Sequence, residues 1–229
     1  MTSKEIVKKK CIDNNWDFSL FEQYVNMIEE KNKVMNLTGF SGERLWTEGI
    51  LESLDFMLEI TKDLENGTIL DIGAGAGFPS IPYILTKPSN KVVIYEPIQK
   101  RVNFLNEVIS ELNLGNYIQV FKQRVEEVKD KNIFDIATAR AVASVRSLLM
   151  AAFHVVKVKG KMILLKSNLV DQELKDASDV IKQLSVDINY YKFDIPNLDR
   201  TNYILEITKK RSTPKQFPYS WKEIKAKSK

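Results

Sequence analysis

The stretch Asp71-Ile72-Gly73-Ala74-Gly75-Ala76-Gly77-Phe78-Pro79 is where this sequence concentrates its chemistry. Glycines let a backbone pass close to a ligand and take dihedrals that other residues avoid. A dinucleotide loop reads G-x-G-x-x-G. Here the third glycine falls one residue early, at Gly77, and Phe78 stands where that pattern needs glycine, so a pyrophosphate finds no obvious cradle. The acidic residue before the glycines, Asp71, suits a zwitterionic amino-acid tail better than a phosphate. Glu96 closes the next apolar run, where a carboxylate can accept both hydroxyls of a ribose. Alone, Asp71 also reads as a turn residue that hydrogen-bonds its own loop, and Glu96 as a solvated strand-end carboxylate. Together they point to a nucleotide-type cofactor, with S-adenosylmethionine ahead of NAD.

Other chemistry is sparse. One cysteine, Cys11, and one histidine, His154, exclude a disulfide framework and argue against a zinc site, so no metal is expected. Enzymes that methylate exocyclic amines of bases carry an Asn/Asp-Pro-Pro-aromatic turn after the fourth strand. This chain has Thr138-Ala139-Arg140-Ala141-Val142 there, without proline. Carbon methylation of a pyrimidine needs a thiolate to activate the ring, and Cys11 lies in the basic N-terminal helix, far from the loop in sequence. His154 sits in the apolar run AAFHVV and reads as a packed or helix-end residue rather than a base. A site without nucleophile or general base fits an acceptor that is already nucleophilic. The N7 lone pair of guanine is one, and catalysis then reduces to placing it in line with the methyl sulfonium and stabilising the charge that passes to the base.

These residues need an α/β frame. Residues 3–64 read as two helical blocks joined by a loop at 36–42. From Thr68 the period changes to short apolar runs, with strands expected at TILDIG, Lys91–Tyr95, Tyr117–Phe121, Phe134–Thr138 and Lys161–Lys166. Helical patterns lie between most of them: Pro79–Leu85, Lys100–Leu114 and Val142–Val156. Alternation of this kind predicts a doubly wound, mostly parallel sheet. A polar helix, Val170–Leu184, and two strands, Val186–Phe193 and Tyr203–Lys209, follow. The short PNLDRTN connection pairs those two antiparallel. The expected architecture is therefore Rossmann-like, seven-stranded, in the manner of class I methyltransferases. Its parts are an N-terminal helical extension (1–64), a cofactor-binding domain (65–209) and a basic tail (210–229).

The 229 residues suit one such domain with an appendage, and no apolar run reaches the length of a membrane span. The N-terminus has charges but no apolar stretch behind them, so no signal peptide is read and a cytoplasmic location is expected. Net charge is +4, unevenly spread. Residues 209–229 carry eight basic side chains against Glu223, or +7, which leaves −3 for the rest. A cationic end suggests a polyanionic partner, nucleic acid first, or else only a solubilising terminus. Tyr219 and Trp221 are available there for stacking on RNA, or with Phe217 for packing back onto the body.

Several stretches coincide with one family. EEKNKVMNLTGF, ILESL, ILDIGAGAGFPSIPYIL, EPIQKRVNFLNEV, QRVEEV, FDIATARAVASV and GKMILLKS occur in family order over about 32–168. On these stretches the chain resembles the bacterial small-subunit ribosomal RNA guanine-N7 methyltransferases of the glucose-inhibited-division B type. The resemblance implies methyl transfer from S-adenosylmethionine to N7 of one guanine in a loop of 16S rRNA, with the rRNA or small ribosomal subunit as partner and no membrane. The chain is expected to be a monomer. Cofactor contacts map onto Gly73, Phe78, Val125, Glu126 and Arg140, alongside Asp71, Gly75, Gly77 and Glu96 from the loop reading. Arg140 either closes over the cofactor or binds RNA phosphate, and Lys166 is a candidate phosphate contact at the acceptor pocket. Lys100 and Arg101 match the family's KR pair.

The chain also departs from the family. Glu48, Gly49 and Glu52 stand where the family has Arg, His and Asp, and Ser80 and Ser167 stand where it has glycine. These departures touch the acceptor side more than the cofactor loop. They keep open another RNA or a small molecule as acceptor, or a non-catalytic ribosome-binding homologue.

Overall fold

The computed structural model describes residues 1–227. The helical region opens with α1 (Ser3–Asn14), started by a capping box in which Thr2 and Glu5 satisfy each other's backbone N–H. Asn15, at φ 56, ends it. Asp17 caps α2 (Phe18–Asn32). Then α3 (Gly42–Arg44), a π-wound stretch Leu45–Leu51, and α4 (Glu52–Thr61) run on without a break. The two helical blocks expected from the sequence are thus three helical bodies, because a single left-handed asparagine turns the chain inside the first block.

The remaining elements are β1 (Thr68–Ile72), α5 (Ser80–Ile84), β2 (Lys91–Tyr95), α6 (Gln99–Glu111), β3 (Ile118–Phe121), β4 (Phe134–Ala139), α7 (Val145–Ala152), β5 (Val156–Lys166), α8 (Val170–Asp176), α9 (Ser178–Ile181), β6 (Val186–Phe193), β7 (Asn202–Lys209) and α10 (Trp221–Lys227). The sheet runs β3-β2-β1-β4-β5-β7-β6. The first five strands are parallel and β7 pairs antiparallel with β5 and β6. Strand order reverses between β1 and β4, the switch point beyond whose carboxyl ends α/β sheets bind ligands.

Side chains alternate across the sheet. Ile69, Ile94, Ile136 and Ile163 face a core shared with α1, α2, α4, α5 and α6. Leu70, Ala137, Met162 and Leu205 face a second core under α7 to α10. Each large apolar side chain buried in these layers contributes about 1.5–3 kcal/mol.

Several boundaries differ from expectation, α6 ending at Glu111 rather than Leu114 among them. Ser144 caps α7, so the helix starts at Val145 and gives way after Ala152 to a short 3-10 turn, Phe153–Val155. β5 begins five residues early, at Val156, because the β4–β5 pairing slips between Phe134 and Ile136 and admits Val156–Lys159 to the sheet. Gly160 is required there, since a Cβ would lie 2.7 Å from the Asp135 carbonyl oxygen. The polar helix is two short ones, divided at Ala177. Among the described residues no helix is long and apolar enough to cross a membrane.

Candidate functional site

Two cavities open at the carboxyl ends of the parallel strands and share one wall, Ala141–Val142–Ala143. That wall leaves β4 with Ala141 in the left-handed region at φ 53. A non-glycine residue there stores strain, which is typical of sites where geometry serves function.

The first cavity, about 300 Å³, is lined by Gly73 after β1, Glu96 after β2, Val125 and Glu126 after β3, one side of α7, and Trp221 of α10. Gly73, at φ 69, donates its N–H to the Tyr95 carbonyl (2.8 Å). A Cβ on it would sit 3.1 Å from Val142 Cγ2, so glycine keeps the backbone close to the shared wall. The Glu96 carboxylate is buried and accepts one backbone N–H on each oxygen, from Gly75 (3.1 Å) and Ile98 (2.9 Å). Each oxygen keeps a lone pair for a further donor. Arg101 lies 3.9 Å from Glu96 and also lines this cavity, whereas Lys100 is exposed.

Asp71, Gly75, Gly77 and Phe78 do not line the cavity but build the loop that shapes it. Asp71 Oδ2 accepts from Ser80 Oγ (2.6 Å), while Oδ1 is buried with no hydrogen-bond partner among the described residues. Burial pushes its carboxyl up to about 7, against the Ser80 hydrogen bonds and the Arg140 charge, which lower it. Gly77, at φ 109, leaves room for Tyr24, whose hydroxyl donates to the Ala76 carbonyl (2.7 Å).

The second cavity, about 700 Å³, holds Arg44, Glu48, Glu52, Arg140, Lys166, Ser167, Glu173 and Arg200. Arg140 is almost wholly buried. Its guanidinium lies over the rings of Phe40 and Phe78 (5.7 and 5.5 Å), donates to Ser53 Oγ (2.7 Å) and sits 3.5 Å from Glu52. Burial lowers its pKa and Glu52 opposes the shift. Lys166 pairs with Glu173 (2.9 Å), which also accepts the Val145 N–H.

The departures from the family pattern are accommodated together. Glu48 accepts from Arg44 and Arg200, and these outweigh burial, holding its carboxyl below the usual range. Glu52 accepts from Arg200 and from Asn202 Nδ2 (2.7 Å). Phe78 occupies the space over Gly49 that a histidine would need. Ser80 supplies the hydroxyl that Asp71 accepts. Arg200, which no sequence signal singled out, pairs with both glutamates.

Elsewhere the candidates take structural positions. His154 is buried, with Nε2 2.9 Å from the Val128 carbonyl, and burial pushes its pKa down to about 4. Cys11 is buried in α1, and burial pushes its thiol up to about 11. Among the described residues no group of three His, Cys, Asp or Glu could hold a metal. Lys209, counted with the basic tail, is instead fully buried, donating to the carbonyls of Phe153, His154 and Val156 (3.0, 3.1 and 2.6 Å). Burial lowers its pKa to about 8. Lys229 lies outside the described residues.

A family model described as rRNA small subunit methyltransferase G (GidB) matches residues 17–197. A protein of that name from Mycoplasmopsis pulmonis is 36% identical over 213 residues, covering 90% of this chain and 90% of its own. Another from Streptococcus agalactiae is 35% identical over 204 residues, covering 86% and 85%. Among solved structures, a SAM dependent methyltransferase from Aquifex aeolicus aligns with a TM-score of 0.54 at 18% identity, over 73% of this chain and 93% of that one. A tRNA (m1A58) methyltransferase from the same organism aligns at 0.55 and 15%, over 77% and 74%. At these identities the structural matches speak for the fold.

Proposed function

This chain belongs to the rRNA small subunit methyltransferase G family, and we propose that it moves a methyl group from S-adenosylmethionine to N7 of a guanine in a loop of 16S rRNA. The observation that carries the reading is the wall Ala141–Ala143, thin enough to be shared by two cavities of different character. The smaller one suits a nucleoside with an amino-acid tail. When bound there, the cofactor supplies an electrophilic methyl sulfonium. Glu96 has free lone pairs for two ribose hydroxyls, Gly73 lets the backbone approach, and amides near Val125 and Glu126 can read an adenine edge. Asp71, with an unpartnered oxygen, can offset an ammonium, and Gly75, Gly77 and Phe78 hold the loop in shape.

The larger cavity suits the acceptor. Arg140 and Lys166 stand at the wall, with Arg44 and Arg200 reaching solvent where RNA phosphate would arrive. Among the described residues there, the carboxylates of Glu48, Glu52 and Glu173 already accept from Arg, Asn, Lys or backbone donors, which leaves none of them free to act as a base. N7 needs none, because its lone pair attacks without losing a proton. The positive charge that passes to the purine meets the buried carboxylate of Glu52. The protein works as a monomer on 16S rRNA or the small ribosomal subunit.

Mapping N7-methylguanine in 16S rRNA from cells with and without this gene tests the reading. The modification should vanish at one loop position in the deletion strain and return when the purified chain and S-adenosylmethionine are added. An identical map in both strains overturns it.

A further inference from the structure

We propose that Trp221 is a cofactor-binding residue, seated by α10 against the adenine of S-adenosylmethionine. The inference rests on the cofactor reading above and extends it to a segment beyond the residues 17–197 that the family model matches.

The C-terminal segment does not trail away from the body. Phe217 and Ile224 are each 1% exposed and enter the core under α7. Between them the Tyr219 N–H donates to the Met150 carbonyl (3.0 Å). Ser220 and Glu223 form a reciprocal cap, with Ser220 N to Glu223 Oε2 at 2.8 Å and Glu223 N to Ser220 Oγ at 3.4 Å. Trp221 and Ile224, three apart, share the inner face of the helix, and Lys222 and Lys225 are exposed. Trp221 is thereby held half-buried on the first cavity, and among the described residues after β7 it alone lines that cavity.

The two cavities fix which end of the ligand it meets. The methyl group must be delivered at the shared wall, Ala141–Ala143. Glu96 takes the ribose. Trp221 lines the first cavity only, with Val125, Leu148 and Ala151, away from the acceptor. That end is left for the adenine, and an aromatic face is what a base stacks on. An indole presented to RNA would face solvent; this one is turned inward.

The test uses the full chain and binding rather than turnover. S-adenosylhomocysteine and adenosine are titrated calorimetrically into the wild type and into Trp221→Ala, Trp221→Leu and Trp221→Phe, with melting measured without ligand. The Ala and Leu variants should lose roughly tenfold in affinity for both ligands, and Phe should retain most of it. Trp221→Leu keeps an apolar anchor, so its melting temperature should hold. Unchanged S-adenosylhomocysteine affinity in the Leu variant overturns the proposal, as does a loss confined to S-adenosylhomocysteine with adenosine unaffected. A wild type that binds neither ligand overturns the cofactor reading together with it.

Discussion

Arg200 and Glu52, far apart in sequence, meet across the second cavity: Arg200 Nη2 reaches both Glu52 oxygens, at 2.7 and 2.9 Å. Glu52 is fully buried and also faces Arg140 and Asn202. Removing it leaves a buried guanidinium without its counter-charge. Glu52→Ala should cost about 2–4 kcal/mol, less than for a fully buried pair because Arg200 reaches solvent. Urea denaturation checks this, and Glu52→Gln, which keeps one acceptor oxygen, should fall between.

Gly49→His would restore the family residue and should harm this chain. A Cβ at Gly49 would lie 2.8 Å from Leu45 Cδ1 and 2.9 Å from Phe78 Cζ. Phe78 would have to move, and Arg140 with it. The expected outcome is about 1–3 kcal/mol of destabilisation, read as a lower melting temperature, together with weaker S-adenosylhomocysteine binding.

Asp71 should make stability depend on pH near neutrality. Its carboxyl is raised to about 7 in the folded chain against about 3.8 unfolded. Between those values the folded state holds a proton that the unfolded state has released, so stability falls as pH rises from 3.8 to 7 and levels off above. Asp71→Asn should remove that slope and gain a few kcal/mol at pH 8, while weakening the binding of a ligand with an ammonium group. Melting curves from pH 5 to 8 decide it. A mutant whose slope matches the wild type would refute the assignment.

The outward lysines of α10 separate charge from packing. Lys222 and Lys225 are exposed, whereas the Lys227 ammonium lies over the Tyr219 ring (5.5 Å) and Phe217 and Ile224 hold the segment down. Replacing Lys222 and Lys225 by Ala should leave the melting temperature unchanged. If they pair with single-stranded phosphates, the log–log salt slope of RNA binding should become shallower by about 0.7 for each phosphate that is no longer neutralised. Truncation before Thr213 should instead lower the melting temperature, by exposing the core under α7.

How much could be read beforehand follows from the range of the interactions. β2 and β6 were legible to the residue because a short run of strand-forming residues is a local signal. The slip that lengthens β5 was not, since it depends on how Asp135 meets Gly160 across two strands. Gly73, Glu96, Val125 and Glu126 were legible because the loop and strand ends carry their own pattern, and they do share one cavity. Glu48 and Glu52 read only as departures, because the arginine that compensates them is about 150 residues away in sequence. Trp221 read as an aromatic free either to stack on RNA or to pack back onto the body, and Lys209 as a tail cation. Each is turned inward by a tertiary contact that no neighbouring residue announces.

The π-wound stretch Leu45–Leu51 makes this chain sensitive to length as well as to composition. In an α-helix each residue accounts for about 100° of rotation, and a wider turn absorbs an additional residue without disturbing what comes next. Glu52 and Ser53, which hold Arg140, are the first two residues beyond it. Losing one residue other than Glu48 from 45–51, so that the segment rewound as ordinary helix, would swing both away from the guanidinium while every side chain of the cavity was still encoded. Insertions and deletions in this short window should therefore be tolerated less well than most point substitutions within it.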